Sequence, residues 1–378
     1  MPTVRDIVAA LNRWAPEAQK ADFDRVGLQV GDPEREVSRV LVALDLTPEV
    51  VDEAARAGAE MIVTHHPLIF KPLARLTPTD LVSGLAFRLA QEGIAYAAIH
   101  TNLDALRGGV SFALAELLGV ENATTLAPER GMLKKLVVFA PQSHAEAVRQ
   151  SMAEAGAGQI GDYRDCSFSG EGTGRFRATE GTDPHVGAIG EVHAEPEVRI
   201  EVLVESWALG RVVRAMQAAH PYEEVAYDVY AVENAHRTVG YGAVGSLAAP
   251  MPLDAFLAHV ARQLGAESLR YAAEPGATIH RVAVCGGSGM SFFGAALASG
   301  ADAYVTADVT YHRFFEPMDV TGRQRLALID AGHYETEWIT EQLIADRLAG
   351  AFGGLEVART EHRTSPMRTW TGTAPEAR

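Results

Sequence analysis

The sequence predicts an α/β fold: one α/β domain laid down in two pieces, with a ferredoxin-like α+β domain inserted between them. Two observations carry this. At both ends of the chain, short apolar runs alternate with segments whose apolar residues recur at helical spacing, the order of a parallel or mostly parallel sheet covered by helices. In the middle the order becomes β-α-β…β-α-β, that of a ferredoxin-like unit. The expected pieces are residues 1–128, an insert at 129–242, residues 243–370, and a flexible tail at 371–378.

Thr3 stands where a helix cap would, and Val4, Ile7, Val8, Leu11 and Trp14 follow at helical spacing, so the chain opens with an amphipathic helix. Residues 40–46 read as a strand, 48–57 as a helix, 61–64 as a strand, 81–92 as a helix, 94–99 as a strand and 108–118 as a helix. In the middle, 135–140 is a strand and 144–155 a helix, while the glycine-rich stretch 170–187 reads as a long loop or hairpin. Ile200, Val202 and Val204 alternate as in a half-buried strand, followed by a helix at 208–219 and a strand at 225–232. The last piece repeats the opening pattern: a helix at 253–264, strands at 281–285, 303–306 and 326–329, and a helix at 337–348.

Composition narrows the function classes. The 378 residues suit two or three domains of roughly 150 residues each. Hydrophobic residues make up 47% and charged ones 22%, enough to build a core without disulfides. The two cysteines, Cys166 and Cys285, sit in no paired metal or redox motif, which fits a reducing cytoplasm. The opening residues lack a signal-peptide pattern, and no apolar run approaches the ~18 residues of a membrane span. A net charge of −16 argues against nucleic acid as a partner, because such binding needs a basic footprint. An anionic substrate would need a local positive centre.

Residues of metal-ligand type gather at strand ends. His65 and His66 close the apolar run of residues 61–64, and Pro67 holds His66 extended. Neighbours in an extended segment point to opposite sides, so such a pair can serve two ions at once. Asp104 follows the strand at 94–99. His333 and Glu337 follow the strand at 326–329 and share a helix face at i, i+4 spacing. Each fragment also has an ordinary reading: hydrogen-bonded histidines at a junction, a turn-capping aspartate, a solvent-side helix pair. Their common position at strand exits favours convergence on the carboxyl edge of one sheet, where open α/β sheets bind ligands. Three imidazoles and two carboxylates without a thiolate suit two divalent ions of Zn, Mn, Fe or Co. A carboxylate such as Glu337 can bridge two ions about 3.5–4 Å apart.

At these residues the chain resembles the GTP cyclohydrolase 1 type 2 family, the dinuclear-metal-centre or YqfO/YbgI-like proteins. The resemblance rests on Asp24-Arg25-Val26-Gly27-Leu28-Gln29-Val30-Gly31, Thr64-His65-His66-Pro67-Leu68, His100-Thr101-Asn102-Leu103-Asp104, Thr306-Ala307-Asp308 with His312, and Gly332-His333-Tyr334-Glu335-Thr336-Glu337. It covers nearly the whole chain and makes the two-part domain a metal-binding one. It implies that His66 and Asp104 hold one ion, that His65 and His333 hold the other, and that Glu337 bridges them. The middle, with His220-Pro221-Tyr222-Glu223-Glu224, resembles the PII-like or CutA-like insert of such proteins, which are similar in forming homohexamers. Arg25 and Ala307 depart from the usual Asn and Gly of the pattern.

The resemblance implies a metal-dependent hydrolase, with GTP as substrate. Metal-bound hydroxide would attack guanine C8, opening the ring and releasing formate, with His100 or His312 as catalytic candidates moving protons. Other readings stand beside it: a phosphoesterase or amidohydrolase on another substrate, or a non-enzymatic metal-binding ring or regulatory adaptor built on the insert. Gly286-Gly287-Ser288-Gly289 follows a strand and reads as a tight turn, with phosphate binding as the alternative. It matches no phosphate-loop or dinucleotide fingerprint, so no organic cofactor is expected.

Overall fold

The structure, a computed structural model, describes residues 1–370, so the tail expected from Thr371 lies outside the described residues. The described chain divides into two compact units, residues 1–127 with 238–370, and residues 128–237.

The first unit holds two sheets, where the sequence predicted one. In the five-stranded sheet the order is Gly27–Val30, Ala95–Ala98, Met61–Thr64, Arg39–Ala43 and Glu356–Arg359. All its pairings are parallel except that of Gly27–Val30. Short, fully buried strands such as Met61–Thr64 are what a parallel sheet covered on both faces requires. Alternate side chains go to opposite faces. Val40, Val42, Met61 and Val63 pack with Ile7 and Leu11 of the Val4–Trp14 helix and with Ile344 and Leu348 of the Ile339–Ala351 helix. Leu41, Ala43, Ile62 and Tyr96 pack instead with Val50, Val51, Leu85 and Leu89 from the Pro48–Ala57 and Leu81–Glu92 helices. Local chemistry sets the helix starts: Thr3 and Asp6 form a capping box, Thr47 caps a helix with Pro48 at its first position, and Asp80 accepts from the Ser83 N–H.

The second sheet has six strands in the order Arg270–Ala272, Ala327–Asp330, Ala303–Thr306, Thr278–Val284, Gly240–Pro252 and Val120–Pro128. Its three central strands are parallel, with an antiparallel strand on either side. These flanking strands are why the two halves do not merge. Gly240–Pro252 occupies the edge of Thr278–Val284, Arg270–Ala272 occupies that of Ala327–Asp330, and Gly27–Val30 occupies that of Ala95–Ala98. None of the three had been read as a strand.

The second unit is a four-stranded antiparallel sheet in the order Ser167–Arg177, Val192–Glu205, Leu133–Pro141, Tyr227–Ala231. The Ala145–Glu154 and Leu209–Ala219 helices complete a β-α-β-β-α-β chain order, and this strand arrangement is that of the ferredoxin-like fold. Val148, Met152, Val212 and Met216 pack on Leu136, Val138, Ile200 and Val202, so both helices cover one face. Residues 170–177 belong to the edge strand, resolving the loop-or-hairpin alternative in favour of a hairpin arm. Residues 238–242, given to the insert from sequence, fall in the first unit, where Gly240 opens a strand of the six-stranded sheet.

Candidate metal centre

Within the first unit, the ends of both sheets supply one cluster. His65 and His66 leave the Met61–Thr64 strand, with their N–H groups donating to the carbonyls of Ala43 and Leu44 at 3.3 and 3.0 Å. Asp104 ends a short helix, Thr101–Asp104, that follows the Ala95–Ala98 strand. These three belong to the five-stranded sheet. His333 and Glu337 come from the six-stranded one: the chain leaves Ala327–Asp330, turns at Gly332 (φ 91°), and starts the helix His333–Glu337. The ligand-type residues therefore converge from two sheets, correcting the single carboxyl edge expected from sequence.

Glu337 is the centre of the cluster. It is 4% exposed. Its Oε2 lies 3.0 Å from His66 Nε2 and 3.0 Å from His333 Nε2, while Oε1 lies 4.0 Å from His65 Nε2. His65 Nε2 is also 3.5 Å from Asp104 Oδ1. Two groups result, His66 with His333 and Glu337, and His65 with Asp104 and Glu337; within each the ligand atoms lie within 4.8 Å of one another, so each could hold a metal ion. This grouping differs from the pairing that the resemblance implies, which put Asp104 with His66 and His333 with His65.

Each imidazole is held from behind by an acceptor on Nδ1. His65 Nδ1 meets the Ile99 carbonyl at 2.9 Å, His66 Nδ1 meets Asp45 at 2.7 Å, and His333 Nδ1 meets Asp308 at 2.7 Å. An acceptor there keeps the proton on Nδ1 and turns the Nε2 lone pair inward, the usual support of a metal-bound histidine. His65 shows the result most clearly. It is wholly buried, and its Nε2 has no hydrogen-bond partner in the protein. A buried nitrogen left unpaired is costly unless something absent from the protein completes it. The donor set of imidazoles and carboxylates fits a divalent cation of the Zn, Mn, Fe or Co type.

The electrostatics of the cation-free cluster agree. Burial opposes charge on His66 and His333, but Asp45 and Glu337 outweigh it for His66, pushing its pKa up to about 10. Asp308 and Glu337 do the same for His333, to about 11. Burial also opposes charge on Glu337, yet the hydrogen bonds from His333 and His66 hold it well below the ordinary carboxyl range. Burial and the neighbouring Glu337 charge drive Asp104 well above that range. His65, desolvated by burial, is pulled down to about 3. Protons on His66 and His333 thus stand where a divalent charge would.

His100 joins this cluster and His312 does not. The His100 ring lies 5.2 Å from that of His65 and 5.4 Å from that of His66, and the three form a further possible ligand group. Its Nδ1 is 2.9 Å from Asp24 Oδ1. Burial works against charge on Asp24, but hydrogen bonds from His100, Thr101 and the Arg25 N–H hold its carboxyl well below the ordinary range. His312 is exposed on the turn Tyr311–Phe315, packs edge-on against Tyr311, and belongs to none of the three ligand groups among the described residues.

The glycine turn serves the cluster as structure. The Gly287 N–H donates to Thr336 Oγ1 at 3.0 Å and the Gly289 N–H to Thr306 Oγ1 at 3.0 Å, so neither donor is turned toward a phosphate. Gly287 has φ +59°, and a Cβ there would stand 2.2 Å from Glu337 Oε1. Asp45 escaped the sequence reading, although it follows the Arg39–Ala43 strand at the same edge as His65. Asp24 and Asp308 entered it only inside motifs. Asp308 has a further signal visible only in the backbone, a positive φ of 54° just beyond a strand.

Comparison with known proteins gives the cluster a context. A relative from Halalkalibacterium halodurans named "GTP cyclohydrolase 1 type 2 homolog" is 37% identical over 343 residues, covering 90% of this chain and 91% of that protein. One of the same name from Bacillus subtilis is 36% identical over 368 residues, covering 96% and 97%. The crystal structure of a Bacillus cereus protein related to NIF3 superposes with a TM-score of 0.82 at 37% identity, over 98% of this chain and 99% of that one. The profile of the Duf34/NIF3 (NGG1p interacting factor 3) family matches residues 2–366, and the chain belongs to that family.

Proposed function

We propose that the cluster holds two divalent cations and that the protein is a hydrolase of a small molecule, with GTP the first substrate to test. The observation that supports this best is Glu337, a nearly buried carboxylate whose two oxygens face two different groups of ligand atoms. In this reading His65 and Asp104 would hold one cation and His66 and His333 the other, with Glu337 serving both. Two such cations, when bound, would supply Lewis acidity and bring the pKa of bound water toward neutrality. Five ligand residues for two ions leave coordination positions open, as catalysis requires and a purely structural site does not.

The protein's own groups do the rest. The Asp45 and Asp308 carboxylates and the Ile99 carbonyl fix the imidazoles. His100, held on Nδ1 by Asp24, presents its other ring nitrogen beside His65 and His66, in place to take or give a proton at the reacting group. We assign this role to His100 rather than to the exposed His312. For GTP the reaction would be hydrolytic opening at guanine C8 with loss of formate, in keeping with the name of the relatives. We further propose a homohexamer acting in the cytoplasm, a state that sedimentation can test; among the described residues no helix is long and apolar enough to cross a membrane.

The test is GTP turnover by protein reconstituted with Mn or Zn, with formate and ring-opened nucleotide measured beside Glu337→Gln. Metal-dependent formate release that the variant loses supports the whole reading. Two bound ions per chain with no product from GTP would remove GTP as substrate and send the search to phosphoesters and amides. Fewer than two ions bound at saturation would overturn the dinuclear assignment.

A further inference from the structure

The second unit carries a cavity of its own. Pairing of Ser167–Arg177 with Val192–Glu205 places Phe168, Gly170, Gly172, Gly174 and Phe176 on one face of the sheet, the face opposite buried Ile200 and Val202 and therefore opposite the two helices. A glycine inside a strand gives up packing and costs conformational entropy, and it commonly marks a place where a ligand or another backbone comes close. Of the three at alternate positions, Gly174 is covered by the Glu197 carboxylate, whose Oε2 lies 2.1 Å from where a Cβ would stand, and Gly170 lies beside the Phe168 ring, while Gly172 is open. No protein atom lies within 4 Å of where a Gly172 Cβ would stand. Over this strand is a cavity of about 800 Å³, the size of a small-molecule site, with Phe139, Phe168, Phe176 and Tyr222 in its walls. Two contacts hold its rim: the Asp183 N–H donates to Glu223 at 3.0 Å, and the Tyr222 hydroxyl donates to Glu197 Oε1 at 3.3 Å.

Charge decides what fits. Six carboxylates line the cavity against three arginines, so an anion is disfavoured. Glu201 is already neutralised, by Lys135 at 2.7 Å and Arg199 at 3.0 Å. Glu197 is not. Among the described residues it makes no ion pair, its hydrogen-bond partner is the Tyr222 hydroxyl, and burial together with the nearby Glu195 raises its pKa above the ordinary range. A partly desolvated carboxylate beside aromatic faces is a receptor for positive charge, through both ion pairing and cation–π attraction.

We propose that this cavity binds an organic cation, an ammonium or guanidinium group carried on an apolar or aromatic body. The charge sits at Glu197, over Gly174, and the body lies on the open strand at Gly170 and Gly172, between the phenylalanine rings. The site uses no residue of the metal cluster, so it stands or falls separately from the proposed hydrolase.

Calorimetric titration of the full-length protein with tryptamine and agmatine tests it, beside neutral 3-methylindole and anionic indole-3-propionate. At least one of the two cations is expected to bind one per chain, with 3-methylindole at least tenfold weaker and the anion weaker still. Glu197→Gln should lower cation affinity at least tenfold while leaving metal content unchanged. Gly172→Leu, which enters open space and so should fold, should abolish binding of every probe; a thermal melt confirms that both variants are folded. No binding of either cation at millimolar concentration, an anion that binds as well as the cations, or a folded Glu197→Gln protein with wild-type affinity would each overturn the proposal.

Discussion

The three metal-type histidines differ less in themselves than in what stands behind them. His65 leans on a backbone carbonyl, whereas His66 and His333 lean on the carboxylates of Asp45 and Asp308. A carboxylate partner raises ligand basicity as well as fixing the ring, and losing such a partner typically costs about 10–100-fold in metal affinity. Asp45→Asn and Asp308→Asn are each expected to weaken binding of one ion by that factor, read by competition with a chelating dye, and to lower the metal-free melting temperature near neutral pH as well, because each carboxylate there pairs with a protonated imidazole. A second residue has an effect that pH reveals. Glu341 is buried, its carboxylate accepting from the Leu44 N–H at 3.0 Å, and burial pushes its pKa up to about 7 from 4.5. Between those values the folded chain holds a proton that the unfolded chain has released, so stability falls as pH rises through about 4.5 to 7 and stays lower above it. At about 1.4 kcal/mol per pKa unit the loss is on the order of 3 kcal/mol. Glu341→Gln keeps the acceptor and removes the charge. It is expected to raise the melting temperature of the metal-free protein at pH 8 and to change it little at pH 4.5; equal shifts at both would refute this account.

Among the elements, the turn after the Thr278–Val284 strand shows how backbone shape serves the cluster. Gly287 is in the left-handed region, and its missing Cβ leaves the space that Glu337 Oε1 fills. Gly287→Ala is expected to combine about 1–2 kcal/mol of backbone strain with displacement of the bridging carboxylate, and so to lose bound metal. Gly58→Ala makes the control: φ is +68° there, but nothing lies within 4 Å, so stability should drop by a similar amount with both ions retained. Sequence reading reached the elements whose pattern is self-contained. The runs at 61–64 and 303–306 are apolar on both faces, and that alone marks a covered parallel strand. It missed edges. Glu356–Arg359 has only two apolar residues, neither fully buried, Arg270–Ala272 has three residues, and Ser167–Arg177 spends three positions on glycine, so each becomes a strand only by pairing. The same limit applied at the cluster. Ligand residues ending strands were legible, but which imidazole shares which carboxylate depends on how two sheets meet, and no local spacing encodes that. Asp45 illustrates it: alone in sequence, it acquires a role only because its strand lies beside that of His66.

At the scale of the whole molecule, every residue assigned to the metal cluster lies in the first unit, on both sides of the interruption. The chain leaves that unit at the end of Val120–Pro128 and returns in Gly240–Pro252, neighbours in one sheet. A Cβ on Gly242 would touch Leu126 and one on Gly245 would touch Glu121 and Ala123, so the two strands run antiparallel, with the exit and the return at the same end. A connection between antiparallel neighbours needs only a hairpin turn of two to five residues. The second unit, for its part, buries its own core between one sheet face and two helices, which is what an independently folding domain requires. Replacing residues 128–237 with a short Gly-Ser turn should therefore leave a cooperatively folded first unit that still takes up two divalent ions per chain and loses all affinity for organic cations. Circular dichroism melting and metal analysis of the excised protein check the first two expectations, and calorimetry with tryptamine and agmatine checks the third. A folded product that no longer takes up metal would show that the cluster depends on the insert, through packing or assembly. Its metal chemistry could then no longer be assigned to the two sheets alone.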